Sequence, residues 1–296
     1  LMLLLASTLA TGNPLYWGDL ELIKEIRLDM APNSFDDQYL GCSHMMEKEL
    51  KKLNWTESSK NSVFAKYWTK ATAEWQKKWN HVHKPLVLRT EQAVAIMAYT
   101  LPGPLYQTFN AAVREAGRSR REYLDKFHFK VLHFLLTQAL RNLWNSQTRG
   151  CHHVYRGVKD IRFTARRKDA VRFGQFTSTS LQKEVAIKFG WDTFFSVYTC
   201  YGVPIKYFSY FPNENEVLIP PYERFEVTTI VHQGKRTYIS LQSRGTWSKY
   251  NCEWFKGKRC QEKPCNINTG RSIVEDPPRL RNLLLEDTAL AATGGP

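Results

Sequence analysis

Two carboxylates, Glu214 and Glu216, flank Asn215 at the entrance to a short apolar run, Val217-Leu218-Ile219, that stops at Pro220-Pro221. The run reads as a short buried strand, and its approach from Phe208 to Asn213 as a turn. Strand alternation over this stretch would point both carboxylates to the same face. Two like charges held side by side raise each other's proton affinity, which costs energy unless a positive charge arrives between them. An isolated Glu-x-Glu is most often a solvated turn, so its meaning rests on the chemistry carried elsewhere in the chain.

Two other pieces carry such chemistry. Arg156 sits in Val154-Tyr-Arg-Gly157, a charge inside an otherwise apolar strand. A guanidinium there needs a buried ion pair or a bound anion to offset its desolvation. Phe173-Gly-Gln-Phe-Thr-Ser-Thr-Ser180 is a hydroxyl-rich strand beside two aromatics, and would otherwise be a polar sheet edge.

The chain has 296 residues, enough to bury a substantial core, with 43% hydrophobic and 13% aromatic residues. Its net charge of +14 points to acidic partners. The basic residues are spread along the whole length without a basic arm, zinc-finger or RNP pattern, which argues against a nucleic-acid-binding module. G-x-G-x-x-G and GK[ST] loops are absent, and so is any H-E-x-x-H spacing; neither a dehydrogenase nor a metalloenzyme is expected, and no metal ligands are assigned. His81, His83, His152 and His153 read as surface or packing residues.

The elements that must position these groups fall into two halves. Met45, Met46, Leu50 and Leu53 mark one face of a lysine-rich helix, and Phe64, Trp68, Ala71 and Trp75 mark a second. A third helix is read through Leu124, Phe127, Val131, Phe134 and Leu135 to about Trp144. Ala93 to Thr100 is a continuous apolar run, either a buried strand or a short helix. After Gly150 the pattern turns to short β runs at 154–156, 176–178, 194–200, 205–208, 217–219, 225–231 and 237–241, interrupted by a helical piece from Gln182 to Phe189. Helices first and strands later predict an α+β protein, a helical N-terminal half packed on a β core. Residues 1–12 resemble the apolar core and small-residue end of a signal peptide. Residues 13–265 are expected to form one domain, helical to about 149 and β from about 150 to 255, with a loosely structured tail at 266–296. No stretch reaches the roughly 20 apolar residues of a membrane span, nor does the tail carry the run of about 10–20 of a lipid-anchor signal. Six cysteines, an even number without C-x-x-C, fit disulfides in an oxidising compartment, and Asn54-Trp-Thr56 is an N-glycosylation sequon. A secreted protein is the expectation.

In order and with their flanks, Val-Tyr-Arg-Gly, Arg-Phe-Gly-Gln-Phe-Thr-Ser-Thr-Ser-Leu and Glu-x-Glu-Val-Leu-Ile-Pro-Pro resemble the vertebrate ecto-ADP-ribosyltransferases that modify arginine, of the R-S-E class. Phe35-Asp-Asp-Gln-Tyr-Leu-Gly-Cys42 is similar to that family's N-terminal segment, so the resemblance spans roughly residues 30 to 260, and the type is nearest to secreted members without a lipid anchor. It implies a β-sandwich-like NAD-binding core, with NAD (or NADP) as co-substrate and no permanently bound cofactor. Arg156, Ser178 and Glu216 then match the catalytic arginine, serine and glutamate. Glu214 and Phe211 match acceptor-arginine positions, and Tyr99, Gln175 and Ser209 join Arg156 around the nucleotide. The resemblance also implies the disulfides Cys42–Cys252 and Cys151–Cys200, leaving Cys260 and Cys265. The partners implied are NAD and arginine-containing acceptor proteins, met by a monomer. A protein that mainly hydrolyses NAD, and a catalytically silent binding protein of the same fold, are the competing readings.

Overall fold

The structure, a computed structural model, describes residues 23–79, 87–147 and 150–256. The signal-like start, His81, His83, Cys260, Cys265 and the 266–296 tail lie outside the described residues. Strand β1 (Lys24–Arg27) precedes helices α1 (Ser43–Lys60), α2 (Ser62–Trp79), α3 (Thr90–Thr100), α4 (Leu105–Ala116), α5 (Arg120–Lys126) and α6 (Lys130–Ser146). Then come β2 (His152–Val158), β3 (Ile161–Thr164), β4 (Ala170–Val171), β5 (Thr177–Ser180), helix α7 (Lys183–Ile187), β6 (Thr193–Thr199), β7 (Val203–Pro204), β8 (Glu216–Ile219), β9 (Glu223–Gln233) and β10 (Arg236–Thr246).

An eight-stranded sheet runs in the order β4-β9-β10-β6-β2-β5-β8-β7, and β1 pairs with β3 in a separate two-stranded sheet. Within the large sheet β10 and β6 are parallel, while β2, β5 and β8 are joined by antiparallel pairings. The fold is α+β. Apolar side chains divide into two clusters. One joins the helices to Phe176, Val203, Ile205, Phe208 and Leu218 at the β5-β8-β7 end of the sheet. The other gathers Val154, Val197, Val217, Val227 and Ile239 from β2, β6, β8, β9 and β10. Residues 217 and 218 thus face different cores, as strand alternation demands.

Of the two readings open for the apolar run at 93–100, the structure takes the helix: it belongs to α3, where residues 92–99 are all buried, because a helix satisfies its own backbone while small alanines let neighbours approach. Other expectations need correcting. The long third helix breaks into α5 and α6 between Lys126 and Lys130. There the Lys130 ammonium donates to the carbonyls of Leu124 and Phe127, and Glu57 accepts from the Lys130 and Val131 amides, capping the new N-terminus. Residues 205–208 form a turn and no strand, since the Phe208 and Ser209 amides both donate to Ile205 O. The N-terminal half also contains a strand, β1, whose four residues carry too little pattern to be seen.

The Asp36-Asp37 pair ties the halves together. Asp36 takes a 2.6 Å ion pair from Arg172 and the Lys249 and Tyr250 amides, and Asp37 accepts from Tyr39, Cys252 and Glu253 amides. The disulfide Cys42–Cys252 reinforces the same junction, and Cys151–Cys200 ties the start of β2 to the end of β6 within the β half. Asn54 lies half-buried within α1, its Oδ1 buried without a partner.

Candidate active site

Arg156, Ser178 and Glu216 come from β2, β5 and β8, three adjacent strands of the large sheet, and all three line one cleft of about 560 Å³. Glu216 opens β8 directly opposite Ser180 of β5, and Ser178 pairs with Leu218 two residues further on. A strand ladder therefore fixes the glutamate beside the serine strand. Arg156 Nη1 donates to the Ser178 carbonyl at 2.8 Å, which aims the guanidinium across β5. Gly157 follows because the chain passes too close for a side chain. A Cβ there would stand 2.3 Å from Ala186 O and 2.4 Å from Gly190 O.

Glu216 is 6% exposed, and burial pushes its pKa up to about 7. Hydrogen bonds from the Ser178 and Ser209 hydroxyls and the charge of Arg156 oppose the rise, while Glu214 adds to it. Ser209 suits this role: its Oγ accepts the Phe211 amide at 3.0 Å, leaving its hydrogen for the carboxylate. Burial also disfavours the charge of Arg156, against attraction from Glu216. The site is an arginine and a carboxylate held partly desolvated, waiting for ligand charges of opposite sign.

Glu214 faces the same cleft, but not through strand alternation. It ends a 3-10 turn, Pro212–Glu214, and Asn215 takes a left-handed conformation (φ 44°, ψ 48°) before β8 begins. The two carboxylates share the cleft because this turn redirects the chain, a conformation asparagine tolerates better than most residues. Asn215 is thus a conformational requirement between the two carboxylates. Burial raises the Glu214 pKa, and Lys188 lowers it.

Of the other expected residues, Phe211 and Gln175 line the cleft, and Arg114 Nη1 donates to Gln175 Oε1. Tyr99 lines it too, yet its hydroxyl is already committed, donating to Phe176 O at 2.9 Å and accepting from Asn110 Nδ2 at 3.0 Å. Burial pushes its pKa up to about 12, so it stays a neutral brace for the start of β5. Ser209 is buried behind the cleft wall and reaches it through Glu216.

Sequence reading missed α4 and with it Tyr106, Asn110 and Arg114, a stripe at four-residue spacing along the cleft. The signal was present. Leu105, Phe109, Val113 and Ala116 form the buried face of an amphipathic helix following Pro104. Arg114 supplies a second guanidinium lining the same cleft as Arg156, its charge disfavoured by burial and supported by Glu115. Among the described residues no group of three His, Cys, Asp or Glu side chains is placed to hold a metal ion.

The geometry agrees with known proteins. The sequence model described as NAD:arginine ADP-ribosyltransferase matches residues 28–249. An erythroblast NAD(P)(+)–arginine ADP-ribosyltransferase of Gallus gallus is 57% identical over 84% of this chain and 83% of its own. A GPI-linked NAD(P)(+)–arginine ADP-ribosyltransferase 1 of Homo sapiens is 47% identical over 88% of this chain and 83% of its own. The crystal structure of the eukaryotic mono-ADP-ribosyltransferase ART2.2 superposes with a TM-score of 0.67 at 39% identity, covering 77% of this chain and 98% of that one, and a variant of ART2.2 was solved with NADH. Three-quarters of the chain thus carries the family's sequence and fold, and the protein belongs to the NAD:arginine ADP-ribosyltransferase family.

Proposed function

We propose that the protein transfers ADP-ribose from NAD to the guanidinium of arginine in acceptor proteins, releasing nicotinamide. The observation that carries this reading is the convergence of Arg156, Ser178 and Glu216 from adjacent strands on one cleft that Glu214 shares. Arg156, seconded by Arg114, would hold the dinucleotide's diphosphate, a role for which a fixed, permanently charged fork is suited.

The bond from ribose C1′ to the nicotinamide nitrogen breaks with its electron pair leaving on the ring, which the ring's positive charge favours. The ribose becomes oxocarbenium-like, and Glu216 opposes that developing charge from a fixed, buried position, where electrostatic stabilisation is strongest. Ser178 and Ser209 hold the carboxylate by hydrogen bonds, so it need not reorganise during the reaction. A guanidinium nitrogen then bonds to C1′ and must lose a proton. Its ordinary pKa lies above about 12, so an anion beside it has to orient it and take up that proton. Glu214 occupies that position, with Phe211 beside it at the rim.

Mass spectrometry of agmatine incubated with the protein and NAD tests the reading directly. ADP-ribosylagmatine with equimolar nicotinamide is expected. Free ADP-ribose alone would make the protein an NAD glycohydrolase.

The two disulfides support action outside the cytosol, in keeping with relatives named ecto-ADP-ribosyltransferase. Among the described residues no helix is long and apolar enough to cross a membrane. We read the protein as secreted and monomeric, with residues 13–265 as its catalytic domain. A phospholipase that cleaves lipid anchors should then leave its partition between cells and medium unchanged.

A further inference from the structure

The loop that carries Phe211 and Glu214 is closed at its base by the sheet. The Ile205 amide donates to Glu216 O, and Pro204 pairs with Val217. Its middle is held by the helical half. Trp75 of α2 stacks on Phe208 with ring centroids 5.8 Å apart, and Thr100 Oγ1 of α3 accepts the Tyr210 amide at 2.9 Å. Between these contacts Lys78, near the end of α2, donates its ammonium to Ser209 O at 2.8 Å.

Lys78 is half-buried, and among the described residues no carboxylate forms an ion pair with it. Burial holds its pKa below the ordinary lysine value. A partly desolvated ammonium that donates to a backbone carbonyl costs more than a solvated one, and the charged hydrogen bond that offsets this cost holds the carbonyl in position. Ser209 is the residue where the acceptor and nucleotide sides of the site meet. Its amide donates to Ile205 O, its hydroxyl accepts the Phe211 amide, and the same hydroxyl supports Glu216. Glu216 has further support from the β5–β8 ladder and the Glu214 carbonyl from the Ser180 hydroxyl, whereas the Phe211 amide is held by Ser209 itself. Releasing Ser209 O would therefore loosen the acceptor side more than the nucleotide side.

We propose that Lys78 is a positioning residue which, by holding Ser209 O, sets the acceptor loop and so determines whether ADP-ribose passes to arginine or to water. The proposal rests on the transferase reading above. Its test compares wild type, Lys78→Met and Lys78→Arg for agmatine labelling and nicotinamide release, with thermal unfolding measured alongside. Lys78→Met, which removes a hydrogen bond from a charged group, should raise the agmatine KM about fivefold or more and release more nicotinamide per ADP-ribose transferred, with the NAD KM changed less than about twofold. Lys78→Arg, which keeps the charge and the donors, should recover most of the transfer. Equal effects of Lys78→Met on both KM values, or no effect, would overturn the proposal while leaving the transferase reading intact. Wild type that never labels agmatine would instead overturn that reading, and the Lys78 role with it. Should Lys78→Met not fold, Lys78→Gln, too short to reach the carbonyl, carries the same comparison.

Discussion

The Ser180 hydroxyl donates a 2.6 Å hydrogen bond to the main-chain carbonyl of Glu214 and accepts the Gln182 amide at 3.0 Å. The strand that carries Ser178 thereby also clasps the turn that carries the second carboxylate. Ser180 is buried and sits opposite Glu216 in the ladder, so one residue registers both glutamates against β5, Glu214 through its side chain and Glu216 through its backbone. Ser180→Ala should lower stability by about 1–2 kcal/mol, the usual result of leaving buried partners unmatched. It should reduce agmatine transfer more than NAD hydrolysis, as paired assays of nicotinamide and ADP-ribosylagmatine would register.

Asn215 occupies the left-handed region between the glutamates. Asn215→Gly should preserve transfer, because glycine adopts that conformation without a steric cost. Asn215→Val should lose roughly 1–2 kcal/mol of stability by denaturant unfolding and most of the transferase activity, since a β-branched residue resists positive φ.

Glu216 must be ionised to oppose positive charge on ribose, and burial sets its pKa at about 7 in the free protein. The kcat/KM for NAD should therefore rise with pH, tenfold per unit below about 7, and level off above it. A profile flat from pH 5 to 8 would deny Glu216 this role.

The same shift acts on stability with the opposite sign. A carboxyl whose folded pKa is raised from 4.5 to about 7 binds more protons in the folded state than in the unfolded one, so its contribution to stability falls as pH rises across that interval. Glu216→Gln removes the penalty. It should unfold at a higher temperature than wild type at pH 8, by a free energy on the order of 2–3 kcal/mol, and show little gain at pH 4.5.

Arg156→Lys should raise the NAD KM about tenfold or more, because a lysine cannot both fork around phosphate oxygens and hold Ser178 O. Arg114→Ala, which removes the more exposed guanidinium of the two, should raise it by a smaller factor. Isothermal titration with NAD separates these effects from changes in chemistry.

What could be read from the sequence, and what could not, follows from the range of the forces involved. Trp75, Phe64 and Met46 announce their helices by spacing alone, and Val217 to Ile219 announce a buried strand, because burial writes a local period. The R-S-E residues were legible as a set of motifs in order. The helical nature of residues 93–100 was not, since an apolar run buried on all sides carries no period. Nor was the break at Phe127–Phe129, which depends on Glu57, some 70 positions away in the chain. The common facing of Glu214 and Glu216 was expected for a reason the structure replaces: a left-handed asparagine turns the chain where a pleat was assumed. Arg114 and Tyr106 went unseen because short amphipathic helices are easily passed over between stronger signals.

The division of labour between the two glutamates is the centre of the account, and one comparison tests it most directly. Wild type, Glu216→Gln and Glu214→Gln would be given NAD and agmatine, with free nicotinamide and ADP-ribosylagmatine both quantified. Wild type should form both products, Glu216→Gln neither, and Glu214→Gln nicotinamide with little or no ADP-ribosylagmatine. A Glu214→Gln variant that transfers ADP-ribose as well as wild type, or a folded Glu216→Gln variant that still releases nicotinamide at the wild-type rate, would contradict it.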